Sequence, residues 1–245
     1  MKKTKVVLPR EHGGWAMISV PYIIGMMAAA QPVLLHLPLF LAWLLLYLAS
    51  YPLLQALRRG SKKRSWLKWG FGYAASAAAF LIPVVLLEPL LLGFAPVLLA
   101  FIMVHIWHVR RKAERALFND ICAILLFCTG GAAAYFLGGG RFDNGLTAVV
   151  LFNFLYFTGT VFFVKSVFRE RKNRPYTYYS KIYHVVILVV PLLFGNPWLS
   201  LAYLFPLLRA LKFSGTTMKP MKVGILEIVG AVQFLIVAVV IFLSV

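Results

Sequence analysis

Only seven carboxylates accompany 25 lysines and arginines in this chain, so the acids are the first place to look for chemistry. Glu11, Glu114, Asp120, Glu170 and Glu227 all fall at the ends of apolar runs. A carboxylate there can carry a proton in catalysis or transport, or hold a neighbouring cation. Glu227 is the sharpest case. In "KVGILEIVGAVQF" it stands about one helical turn inside an apolar run, where an ionisable side chain marks either a functional group or a pair with a base on a neighbouring helix. The string Arg10-Glu11-His12-Gly13-Gly14-Trp15 puts a cation, an acid and an imidazole at one helix entrance. Gly13-Gly14 permits close backbone approach, and Trp15 suits a membrane interface. Glu11, His12, Asp120, Glu170 and Glu227 are therefore the residues expected to move protons.

The cations form spaced sets rather than a uniform coat. Tyr51, Gln55 and Arg58 are separated by four and then three residues and share one helix face, as do Lys165, Arg169 and Lys172. Arg110, Arg111 and Arg115 precede another apolar run, next to Asn119. Arginine forks suit bidentate capture of phosphate or carboxylate. Together with Arg10, Arg171, Arg174 and His184, these residues are the expected binding set for an anionic head. The competing reading is that they reach for lipid headgroups and fix orientation. His105 and His108, three apart on one face, are the only metal-ligand candidates, and they lack a recognised ligand spacing. Cys122 and Cys128 point to neither a disulfide nor a redox pair.

The elements that must position these residues are membrane helices. Of 245 residues, 62% are hydrophobic and only 13% charged, against about 25% charged in a soluble domain. Nine apolar spans are legible: 14–31, 35–57, 66–87, 90–109, 116–138, 146–167, 180–195, 197–213 and 223–245. No polar linker divides them, so residues 1–245 are read as one all-α, polytopic helix bundle. With the N-terminus cytoplasmic and the C-terminus outside, 24 of the 25 basic residues fall in inner segments and one, Arg141, falls outside. That asymmetry sets orientation in membrane proteins. It also makes lipid a better partner than nucleic acid for a net charge of +18. The small-residue strings "YAASAAAF" and "CTGGAAAYFLGGG" suit close helix packing in lipid. Pro21, Pro83, Pro96, Pro191 and Pro206 are expected to kink helices.

Nine spans with basic loops after the second and sixth form a layout that resembles the UbiA-type intramembrane prenyltransferase superfamily. The stretch "HVRRKAERALFNDICAILLFCTGGAAAY" is similar to that superfamily's fourth-to-fifth helix passage. The resemblance implies a bundle cavity that takes an isoprenoid or other anionic lipid from the cytoplasmic side. The superfamily's two Asp-rich motifs, which hold Mg²⁺ on a diphosphate, are replaced here by "SYPLLQALRRGSKKR" and "KSVFRERKNRPY". Hard Mg²⁺ needs carboxylate oxygens, so no cofactor is expected. Any enzyme would be a prenyl or lipid transferase working without those motifs. The strings "LPREHGGWAMISVPYIIG", "YLASYPLL", "GTVFFVKSVFRERKNRPY" and "KVGILEIVG" resemble the YwiC-like family of bacterial membrane proteins, which implies the bacterial inner membrane. Binding or processing of an anionic lipid is the leading expectation. Proton-coupled transport of a small anion or lipid precursor, and a non-catalytic role in membrane assembly, remain beside it.

Overall fold

The computed structural model describes residues 6–9, 12–57 and 63–244, with His12 by its backbone alone. Among them are nine α-helices: α1 (His12–Ala28), α2 (His36–Leu57), α3 (Lys63–Leu87), α4 (Ala95–Arg110), α5 (Leu117–Leu137), α6 (Asn144–Val167), α7 (Arg174–Leu193), α8 (Leu204–Phe213) and α9 (Pro220–Leu243). Short 3₁₀ segments, Pro89–Phe94 and Pro197–Tyr203, lead into α4 and α8. Seven elements are long and apolar enough to cross a membrane, counting α4 with its 3₁₀ lead. The chain is a multi-pass membrane protein.

The span boundaries shift in three places. The helix α7 begins at Arg174, well inside the basic stretch after α6. Pro175 in its first turn explains this, because proline costs nothing where the N–H has no helical partner. The eighth span is a 3₁₀ segment followed by only ten helical residues. Pro96 and Pro206 sit in the first turns of α4 and α8 rather than inside them. Pro21, Pro83 and Pro191 do lie within helices, as does Pro52.

The helices alternate in direction, so their connections collect at two ends. At the basic end, Lys165 reaches Arg115, and Arg171 reaches Thr217. At the opposite end, the Gln31 N–H donates to the Gly138 carbonyl. The helix α2 lies along α3, and α1 packs against α5, α6 and α9. The α1–α5 crossing is set by glycine: a Cβ on Gly25 would fall on the backbone carbonyl of Gly131, and one on Gly131 would strike that of Pro21. Backbones this close need small residues at the crossing. The largest core cluster joins α1, α5, α6, α7 and α9 around Ile24, Ile124, Tyr156, Tyr203 and Phe234.

Candidate functional site

The residues named from sequence at the basic end are largely tied to one another. Lys165 Nζ lies 2.8 Å from Asp120 Oδ2 and donates to the Arg115 carbonyl at 2.7 Å. The buried Asn119 accepts from His105 Nδ1 at 2.9 Å and donates to the Glu114 carbonyl at 2.7 Å. His108 spends its Nδ1–H on the Val104 carbonyl. Among the described residues no group of three or more His, Cys, Asp or Glu side chains is placed to hold a metal ion; His105 and His108 each contact a neighbouring residue through Nδ1. Glu170 accepts from Asn173 at 3.0 Å, and Arg171 donates to Thr217 at 2.7 Å. The Arg111 guanidinium covers the Trp107 ring at 4.3 Å. Arg110 and Arg174 are exposed, as is Arg169, which has its own partner. Tyr51 packs edge-on against Trp66, and Gln55 is half-buried. Arg10, Glu11, Arg58 and the His12 side chain lie outside the described residues. The expected cationic set is thus spread over separate contacts between helix ends.

A different constellation forms deeper in the bundle. Arg209 on α8 is 2% exposed, and its Nη1 donates to the Glu227 carboxylate on α9. Its guanidinium also lies over the Phe163 ring on α6 at 4.3 Å. The α6 residues Asn153, Tyr156, Thr160 and Phe163 repeat at helical spacing and supply one face of the layer. Thr160 sits between the Tyr156 phenol and Glu227. From α7 comes His184, fully buried, whose Nδ1–H donates to the Ser180 carbonyl at 2.7 Å. Arg209 acts electrostatically on both His184 and Tyr156.

Glycines make the room. Gly159 faces His184 Nε2, where a Cβ would approach to 3.1 Å, and Gly230 faces the Tyr156 hydroxyl at 3.0 Å. Phe234 stacks on Tyr156 with centroids 4.1 Å apart and closes the layer on the far side. Helical rise puts Glu227 and Thr160 each about 10 Å inside the basic end, with His184 about 15 Å in.

The polar atoms of this layer are under-used. Arg209 Nε and Nη2 and His184 Nε2 are buried without a hydrogen-bond partner among the described residues, while the Thr160 hydroxyl is shared between the Tyr156 phenol and Glu227. Buried polar atoms are ordinarily paired, and leaving one unmet costs about 1–3 kcal/mol. The Arg209 pattern is specific. Nη1 holds Glu227, while Nε and Nη2, the two parallel donors of the guanidinium's side edge, have no hydrogen-bond partner among the described residues. That edge is the one that grips a carboxylate or phosphate through two bonds.

Sequence reasoning found Glu227 and His184 but grouped Arg209 with the surface anchors. The available signal was helical register. Arg209 follows Pro206 by three residues and precedes Ala210, and all three are buried, whereas Lys212 two residues on is exposed. Tyr156 and Thr160 were also missed, because hydroxyls at helical spacing within an aromatic run read as core.

Comparison with known proteins covers nearly the whole chain. A protein of Bacillus subtilis (strain 168), "Uncharacterized protein YwiC", is 42% identical over 231 residues, spanning 94% of this chain and 96% of that one. A Haemophilus influenzae protein, "Uncharacterized protein", is 34% identical over 232 residues, spanning 95% of this chain and 97% of its own. No solved structure matches. The family described as "YwiC-like protein" matches residues 8–135, which run from ahead of α1 into α5. On the strength of that match and of two relatives aligned from end to end, the chain belongs to the YwiC-like family.

Proposed function

We propose that this YwiC-like chain is a membrane carrier that binds a small anion at Arg209, with Glu227 as a counter-charge that protonation can switch. The observation that carries the reading is the split use of one buried guanidinium: Nη1 on Glu227, and the Nε–Nη2 edge without a partner among the described residues. A purely structural ion pair gains from saturating its donors, because truncated or half-met charge in a low-dielectric interior is costly. A pair that leaves two guanidinium donors unmet by the described residues is instead arranged to receive something negative. Ionisable groups within membrane bundles mark ion pathways and proton relays, and Arg209 of this pair is buried against Phe163 of α6 and Glu227 of α9. The basic end supports the reading as an entry funnel, facing the cytoplasm of a bacterial inner membrane in the N-in orientation.

A second reading is favoured by a distinct feature. Ile228, Val229, Val232, Gln233, Ile236 and Val237, on the stretch of α9 that follows Glu227 in sequence, line an open groove of about 420 Å³. An isoprenoid or acyl chain lying there would bring its anionic head to the same arginine, as in a UbiA-like lipid-binding protein.

Proteoliposomes carrying the purified chain separate the two. Acetate, phosphate and chloride would be offered with and without an inward proton gradient, and uptake measured. The carrier reading expects uptake of at least one, faster with the gradient, abolished in Arg209→Ala and indifferent to the gradient in Glu227→Gln. Uptake equal in Arg209→Ala and the parent protein, or none at all, rejects it; retained isoprenoid in the purified protein would then favour the lipid reading.

A further inference from the structure

We infer that the anion is a monocarboxylate and that it enters the layer together with one proton, which settles on Glu227. This rests on the carrier site proposed above and adds the ligand's class and its stoichiometry.

The ligand class follows from the shape of the open edge. Arg209 Nε–H and Nη2–H are parallel donors in one plane, matching the two oxygens of a carboxylate. Tyr156 and Thr160 add hydroxyls at the margin of the same layer, and each can donate to an oxyanion. His184, with Nδ1–H committed to the Ser180 carbonyl, turns Nε2 toward the layer beside Gly159. Phe163 covers the guanidinium face and Phe234 stacks on Tyr156, so the neighbours of the open donor edge are largely aromatic.

Charge sets the stoichiometry. Within the layer the described residues contribute one cation, Arg209, and one anion, Glu227. A carboxylate added to this neutral pair would leave a net negative charge at hydrocarbon depth, which is costly unless a proton comes with it. The groups facing Glu227 are Arg209 from α8 and Tyr156 and Thr160 from α6. His184 and Tyr183 come from α7, and Tyr203 from the 3₁₀ segment ahead of α8. The helix α1 also packs on α9. Between Gly13 and Ala28 its only titratable group is Tyr22, which donates to the His36 carbonyl at the opposite end. Glu227 is therefore the one carboxylate positioned to be neutralised. In the bound state its protonated oxygen no longer competes for Arg209, and the guanidinium's charge passes to the ligand. The planar two-donor edge fits the two oxygens of a carboxylate, whereas a tetrahedral phosphate would leave further oxygens to be met in the same layer.

The test uses the full chain purified in detergent, with its thermal unfolding midpoint followed against acetate, octanoate, inorganic phosphate and chloride at constant ionic strength. A ligand that binds the folded state raises the midpoint in proportion to its affinity. The expected result is stabilisation by acetate or octanoate, with affinity rising as pH falls by up to about tenfold per pH unit, the limit for uptake of one proton. Octanoate binding more tightly than acetate assigns the carboxylate to an amphiphile, and equal binding assigns it to a small acid. Glu227→Gln is expected to bind acetate with no pH dependence. Arg209→Lys, which keeps the charge but loses the fork, is expected to lose the preference for acetate over chloride.

A slope that survives in Glu227→Gln, or that disappears only in His184→Gln, overturns the assignment of the proton. Stabilisation by chloride or phosphate through Arg209, with none from either carboxylate, overturns the ligand class while leaving the anion site intact. No effect of any anion removes the site itself. Should Glu227→Gln not fold, proton uptake by the parent protein on adding acetate in weak buffer gives the same answer: one proton per chain is expected, and zero rejects coupling.

Discussion

Removing one charge of the Arg209–Glu227 pair is expected to be worse than removing both. Arg209 is 2% exposed and has its carboxylate partner, 15% exposed, on the adjoining helix, so Arg209→Met strands a largely buried carboxylate at a cost of up to about 3 kcal/mol. The double variant Arg209→Met/Glu227→Leu strands nothing and is expected to recover most of that loss in denaturant or thermal unfolding. A double variant as unstable as the two single changes added together would show that the charges do not compensate each other. Glu227 could be singled out from sequence because an acid inside an apolar run has few innocent explanations. Arg209 could not, because it belongs to a short helix preceded by a 3₁₀ segment. Only once the register of α8 is fixed does that arginine turn inward and Lys212 outward. The sequence places His184 with the arginines of the expected binding set; in the fold its neighbours are Ser180, Gly159 and Arg209.

At the scale of elements, two junctions control where that layer forms. The first is the α1–α5 crossing. A methyl group at Gly131 meets the backbone carbonyl of Pro21, which cannot move aside as a side chain could. Gly131→Ala is expected to destabilise the fold by about 1–3 kcal/mol, while Gly72→Ala, where a Cβ meets nothing, changes little; thermal midpoints of the two variants check this. The second is the start of α6. Asp143 caps it, accepting from the Leu146 N–H at 2.9 Å and from the Tyr135 hydroxyl at 3.0 Å. The Leu146 bond, with smaller help from Tyr135, holds the Asp143 carboxyl below the ordinary aspartate value. A depressed folded-state value means the stabilisation is complete above the unfolded value and is lost as pH falls through the folded one. The parent protein is thus expected to lose midpoint below about pH 4 more steeply than Asp143→Asn, which has no such proton to bind. Identical acid limbs would deny the cap its role. The glycine string of α5 was legible as a packing surface, since small residues in series have that use in lipid. The partner helix was not, because α1 carries one matching glycine, Gly25, with no repeat around it.

For the whole molecule, the hydropathy pattern and the lysine–arginine asymmetry together yield the helix count and an orientation before any packing is known. The eighth span shows where that reasoning stops. Hydropathy cannot distinguish one apolar helix from a 3₁₀ segment joined to ten helical residues, and that break is what delivers Arg209 to the interior. The mouth residues were also read as one cluster because loops of like charge look alike in sequence. In the fold they divide into local ties such as Lys165–Asp120 and Arg171–Thr217. What survives is the two-ended distribution of charge, and it makes a direct prediction. With the buried Cys122 and Cys128 replaced by serine, single cysteines at Lys112, Lys172 and Lys219 are expected to react with a membrane-impermeant maleimide from one face of oriented vesicles. A cysteine at Arg141 is expected to react only from the other. Lys112 and Lys172 are exposed in separate connections, so labelling them from opposite faces would require an odd number of crossings between α4 and α7. The alternation of α5 and α6 would then be lost, and with it the common end from which an anion reaches Arg209.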